Sequence, residues 1–185
     1  MIKLLDLLEM ANITRKGRSK ILKVGDIKLK NLKLKDVTGN IVTYYAGPKN
    51  NIFGPGFYVA YFMDSDESAR ALKANEIDMI FFPHSSINMY GSSPITDIWK
   101  RNKRQRGKKH ILGVVTAYIN EDKKTLWIDK LSVRPNSQRN KIGTFLINAV
   151  KKEWSGYGFF SSKTTNDGTK FFSSFSDDEK PEIDK

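Results

Sequence analysis

Between Thr125 and Trp154 the pattern of apolar residues changes character. TLWIDKLSV reads as a strand, whereas in GTFLINAVKKEW the apolar residues Phe145, Leu146, Ala149, Val150 and Trp154 fall at the spacing of one helix face. The handover passes through a polar loop that carries Pro135, Gln138, Arg139, Asn140 and Lys141 ahead of Gly143. A strand feeding a helix in this way leaves backbone N–H groups free at the helix start, backed by the positive end of the helix dipole. Phosphates bind readily at such a junction. Neither the Walker A nor the dinucleotide-binding glycine spacing is present, so the residues alone leave two readings: a phosphate loop, or an ordinary basic strand–helix connection.

The elements around this junction follow in an order that limits the fold. FYVAYFMD reads as a buried strand, SDESARALKANE as a helix opening on a Ser or Asp cap, and IDMIFFPH as another strand. ITDIWKRNKRQ is expected to be helical until RGKK breaks the pattern. HILGVVTAYIN and TLWIDKLSV, joined by the charged turn EDKK, form a hairpin. After the helix come a strand, YGFFSSK, and a short helix within NDGTKFFSSF. Strands and helices interleaved in this way predict an α/β fold, a mixed sheet with helices on both faces. The aromatic residues Phe57, Tyr58, Tyr61, Phe62, Phe81 and Phe82 lie in strand-like runs and are expected in the core.

The predicted organisation has three parts. Residues 1–55 form a basic N-terminal helix and a β-rich extension, in which ILKVGDIKLKNLKLKD divides into two strands near Lys30 and Asn31 and a third strand covers NIVTYYA. Residues 56–175 form the main domain. Residues 176–185, an acidic tail with little apolar content, are expected to be mobile.

Charge narrows the classes of partner. The net charge of +12 is uneven: residues 1–50 carry 11 basic and 4 acidic residues, 51–99 carry 2 and 6, and 100–110 carry seven basic residues and no acid. Basic blocks of this kind favour polyanions. The run Lys100–His110 has four possible uses: a nucleic-acid contact with Trp99 as a stacking neighbour, an acidic protein partner, the 3′-phosphate of a cofactor, or a solvated loop. The chain has no cysteine, which excludes disulfides, thiol nucleophiles and thiolate metal sites. Its two histidines, His84 and His110, lack carboxylates at ligand spacing, and no metal is expected. No apolar run is long enough for a membrane span and MIKLLDLLEMA lacks a cleavage site, so a cytoplasmic location is the expectation.

VRPNSQRNKIGTFL, through Val133, Pro135, Gln138, Arg139, Ile142, Gly143, Thr144 and Leu146, resembles the acetyl-CoA-binding segment of the GNAT superfamily of N-acetyltransferases. Together with FFSSKTTNDGTKFFSSFSD downstream, the stretch over about residues 110–178 is similar to the acetyltransferase domain of N-acetylglutamate synthases. The resemblance implies a GNAT-like mixed, mostly antiparallel sheet and an acetyl-CoA-dependent transfer to a primary amine. It implies that the backbone of Leu131, Ser132 and Val133 holds the pantetheine arm. Gln138, Arg139, Asn140, Lys141, Ile142, Gly143 and Thr144 would cradle the pyrophosphate. Lys130 and Lys163 match positions that bind a substrate carboxylate, and Asn166 matches an asparagine near the reacting centre.

The chain departs from that pattern at three places. Lys141 stands where the family has its first loop glycine, Ser161 replaces an arginine, and Phe172 replaces the tyrosine that protonates the leaving thiolate. Ser173, next to Phe172, is the first candidate to substitute for it, with Tyr118, Tyr157, Ser161 and Ser162 as further hydroxyls. Asp129, on the strand before the loop, is a candidate base for the amine. No covalent intermediate is expected, because no cysteine or serine–histidine arrangement lies near the loop. The competing expectation is a catalytically degenerate fold that binds nucleic acid or an acidic protein through its basic segments.

Overall fold

The computed structural model describes residues 17–27, 37–48, 55–74, 110–134, 137–161, 166–175 and 182–183. Among them are strands β1 (Arg18–Ile27), β2 (Val37–Ala46) and β3 (Gly56–Met63), then helix α1 (Asp66–Ala74). Strands β4 (Ile111–Asn120) and β5 (Thr125–Val133), helix α2 (Ile142–Glu153), strand β6 (Gly158–Ser161), helix α3 (Asn166–Ser173) and strand β7 (Glu182–Ile183) complete the described elements. The strands lie in one sheet in chain order, antiparallel from β1 to β5 and parallel from β5 through β6 to β7. This is the mixed, mostly antiparallel α/β architecture expected from the sequence.

Both faces of the sheet are covered. On one face Tyr58, Ala60, Val115, Ala117 and Ile128 pack against Ile142, Leu146, Ile147 and Val150 of α2 and against Phe172 of α3. On the other, Val42, Tyr44, Val59, Tyr61 and Val114 pack against Ala69 of α1. Strand β3 is buried along its whole length, which is why FYVAYF reads as a continuous apolar run and not as an alternation. Its aromatic residues are core, as expected; Phe81 and Phe82 lie outside the described residues.

Local chemistry sets the helix ends. Ser65 caps α1 by accepting a bond from the Ser68 N–H at 3.2 Å, and Asp66 and Glu67 place negative charge in the first turn. Helix α2 lies close to β4 because position 113 is glycine. A Cβ there would fall 2.8 Å from Ile142 Cγ2 and 3.1 Å from Leu146 Cδ1.

The break expected near Lys30 and Asn31 lies outside the described residues, but β1 itself carries a bulge between Lys23 and Gly25. Strands β1 and β2 are hydrogen-bonded into the same sheet as β3. The acidic tail is not wholly free: Glu182 and Ile183 pair with Phe160 and Ser161 as β7, because the exposed edge of β6 offers backbone partners that composition cannot reveal. The strand expected in IDMIFFPH, the helix in ITDIWKRNKRQ and the N-terminal helix all lie outside the described residues. Among the described residues no helix is long and apolar enough to cross a membrane.

Candidate functional site

The site begins with one extra residue. In the β4–β5 ladder Thr116 faces Lys130 and Ala117 faces Ile128, so Asp129 is a bulge on β5. A bulge increases local twist and bends the strand that carries it. The parallel pairing of β5 with β6 ends at the same point, with Ile128 opposite Ser161, while β5 continues to Val133. No described strand lies beside that continuation.

The backbone of this continuation is oriented toward the gap. The Arg134 N–H donates to the Leu112 carbonyl at 2.8 Å, so the preceding pair, Val133 and Gly113, is a non-hydrogen-bonded one. Val133 therefore turns its N–H and C=O away from β4, and by alternation Leu131 does the same. The Val133 carbonyl accepts a bond from Gln138 Nε2 at 3.3 Å. The gap thus offers an extended peptide-like edge, with one of its acceptors covered by a loop side chain.

The loop that follows ends in an uncapped helix. The Ser137 N–H donates to the Arg134 carbonyl at 2.8 Å, and the amide of the buried Asn140 donates to the carbonyls of Ser137 and Gln138 at 3.1 and 3.0 Å. Asn140 therefore shapes the loop from inside, while Gln138, Arg139 and Lys141 are exposed. Arg139 and Lys141 hold positive φ, 62° and 59°. Lys141 is the N-cap of α2, without a side-chain cap bond and without an acidic residue in the first turn. The first helical bond runs from the Phe145 N–H to the Lys141 carbonyl at 2.9 Å, leaving the N–H groups of Ile142, Gly143 and Thr144 without an intrahelical acceptor. Gly143 is buried against α3, where a Cβ would stand 3.0 Å from the Phe171 ring.

On the opposite face of the sheet the bulge gathers polar groups. Asp129 Oδ2 accepts a bond from Thr116 Oγ1 at 3.2 Å. Tyr118, two residues along β4 on the same face, has its hydroxyl pKa raised by burial and then by the negative charge of Asp129. Lys130, paired across the ladder with Thr116, shares this face and is half-buried. At the far end of β5, Arg134 is half-buried; burial lowers its pKa and Asp64 partly offsets the shift. Asp64 in turn meets His110 Nδ1 at 2.8 Å. Neither Thr116 nor Arg134 was singled out from sequence; a threonine mid-strand and an arginine before Pro135 carry no distinguishing pattern.

The remaining candidates are distributed as follows. Ser173 is exposed and its hydroxyl donates to the Lys170 carbonyl at 2.8 Å, within its own helix. Phe172 is 6% exposed and belongs to the core beneath α2. Ser161 is buried at the end of β6, and Tyr157 lies before that strand, away from the gap. Ser132 sits on β5 between the two residues that face the gap. Asn166 opens α3. Ser162, Lys163 and the basic run 100–109 lie outside the described residues. Among the described residues no group of three or more potential metal ligands occurs.

The model of the acetyltransferase (GNAT) family matches residues 68–170, a span that runs from α1 to α3 and contains the bulge, the gap and the loop. Searches of curated proteins and of solved structures returned no match.

Proposed function

The chain belongs to the acetyltransferase (GNAT) family, and from that premise we propose that it transfers the acetyl group of acetyl-CoA directly to a primary amine, in a complex that holds both substrates at once. The observation that carries this reading is the open edge of β5. The backbone groups of Leu131 and Val133 face a gap in the sheet that leads, through Gln138–Lys141, to the uncapped start of α2. An arm with amide groups fits that edge as an added strand would, displacing Gln138 from the Val133 carbonyl. A pyrophosphate fits the free N–H groups of Ile142, Gly143 and Thr144, with Arg139 and Lys141 supplying charge.

Acetyl-CoA supplies the acyl group as a thioester; this chain's residues do the rest. The amine must be neutral to attack, and Asp129, whose carboxylate accepts a bond from Thr116, would take its proton. Tyr118, kept protonated beside Asp129, is a hydroxyl donor available to the leaving sulfur in the place of the family tyrosine occupied here by Phe172. Lys130 on the same face would attract an acceptor that carries a carboxylate. Similarity to N-acetylglutamate synthases supports an amino acid acceptor, with Lys163 as second cation and Asn166 near the reacting centre; small amines and protein amines remain in the same class.

Calorimetric titration with acetyl-CoA tests the first step: no binding at millimolar concentration would sink the proposal. Thiol release in the presence of amino acids, polyamines and lysine peptides then identifies the acceptor. Phe172, buried and without a hydroxyl, favours a second reading, a non-catalytic member that uses its basic segments to hold nucleic acid or an acidic protein. Gel-shift titration against salt, with and without neutralisation of Lys100–Lys109, decides that reading.

A further inference from the structure

At the opposite end of α2 from the phosphate-binding loop lies a cavity of about 480 Å³. Its walls come from β1, β2, the β4–β5 turn and the end of α2. Helix α2 spans 12 residues, about 18 Å at 1.5 Å per residue. The cavity is therefore separate from the gap beside Leu131. Its volume lies within the range of about 300–1,000 Å³ of small-molecule sites.

Three aromatic side chains form a corner. Trp154 meets Tyr45 with centroids 4.7 Å apart at 68° and Tyr157 with centroids 5.3 Å apart at 74°. Around that corner most polar groups are already committed. Both oxygens of Glu153 are in use, one with Lys20 Nζ at 2.9 Å and the other with the Tyr58 hydroxyl at 3.0 Å. The Tyr45 hydroxyl donates to Glu121 Oε1. Of the four charged side chains on the cavity walls, Arg18, Lys20, Glu121 and Glu153, two keep uncommitted groups. Among the described residues, Glu121 Oε2 has no partner, and the Arg18 guanidinium makes no hydrogen bond or ion pair, its charge acting only on the nearby Tyr45 hydroxyl.

One unspent carboxylate oxygen and one unspent guanidinium, set beside perpendicular aromatic rings, describe the complement of a zwitterion with an apolar body. With Glu153 paired to Lys20, the unpaired wall charges are one of each sign, so a simple cation would meet Arg18 and a simple anion would meet Glu121. An α-amino acid satisfies both ends. Its ammonium lies on Glu121 and the ring faces, its carboxylate on Arg18, and its side chain against Trp154. We propose that this cavity, walled by Tyr45, Trp154 and Tyr157 and charged by Arg18 and Glu121, is a second ligand site that binds a free α-amino acid. The proposal does not depend on acetyl transfer, because binding there needs neither acetyl-CoA nor Asp129.

The test is calorimetry and Trp fluorescence on the full chain, titrated with the standard amino acids in the absence and presence of saturating CoA. At least one amino acid is expected to bind in both conditions. Its N-acetyl form, which lacks the ammonium, and its amide, which lacks the carboxylate, should each bind at least about tenfold more weakly. Arg18→Gln and Glu121→Gln, both at exposed positions, should weaken the amino acid by about tenfold. Both should leave acetyl-CoA affinity unchanged. Any of four results overturns the proposal: no amino acid binds, the blocked derivatives bind equally well, the two variants have no effect, or tetramethylammonium binds as tightly as the amino acid.

Discussion

Lys141 holds a left-handed backbone, with φ 59° and ψ 11°, at the N-cap of α2. A side chain in that region costs about 1 kcal/mol relative to glycine. Its backbone adjoins three N–H groups without intrahelical acceptors, which is where a phosphate would add negative charge within reach of a lysine side chain. Lys141→Gly should therefore act in opposite directions on two measurements: unfolding stability rises by about 0.5–1 kcal/mol in denaturant titrations, while acetyl-CoA affinity falls several-fold. For catalysis, Asp129→Asn should lower kcat by about 100-fold with little change in KM for acetyl-CoA. Ser173→Ala should leave kcat within about twofold, because that hydroxyl is exposed and tied to the Lys170 carbonyl. Sequence showed Lys141 and Asp129 as candidates by position. It could not show that Asp129 is a bulge, because an inserted residue is defined only by what the partner strand places opposite it. Nor could it separate Asn140, whose amide is spent inside the loop, from its exposed neighbours Arg139 and Lys141.

At the level of elements, α2 was legible because Leu146 and Val150 repeat on one face and that face is the one buried. The β4–β5 hairpin was legible for a similar reason: two apolar runs joined by Glu121–Lys124 leave little alternative. The end of the β5–β6 pairing was implied by the family resemblance and not by the apolar pattern, since its place depends on the Asp129 bulge and on where β6 ends, at Ser161. The packing of α2 on β4 supplies a direct test. Gly113→Ala would place a Cβ 2.8 Å from Ile142 Cγ2 and 3.3 Å from the Ser132 carbonyl oxygen, so the helix start must move off the sheet. The expected cost is about 1–3 kcal/mol in chemical denaturation, with acetyl-CoA affinity reduced in parallel because Ile142 opens the helix proposed to bind it.

For the whole molecule, two tyrosines, Tyr58 buried and Tyr45 half-buried, make stability depend on alkaline pH. Tyr58 has its pKa raised well above the usual tyrosine value by burial and then by Glu153, and Tyr45 is raised by burial and then by its bond to Glu121. Their protonated forms are favoured by folding, so this contribution is intact below pH about 10 and is lost as pH rises further, where the unfolded chain releases protons first. Denaturation midpoints should fall between pH 9 and about 11. Tyr58→Phe should flatten that fall while costing about 1 kcal/mol at neutral pH, since Glu153 loses one of its two partners. The gap beside Leu131 has a further consequence at this scale. Beyond Ile128, β5 is laddered to β4 on one side and to no described strand on the other. A ligand lying along β5 would act as a missing strut, and linkage would add about 2.7 kcal/mol to folding stability at a concentration one hundred times its Kd. Resistance to proteolysis would then follow the supply of that ligand, and the lifetime of the protein in a cell would track the acetyl donor on which its proposed reaction depends.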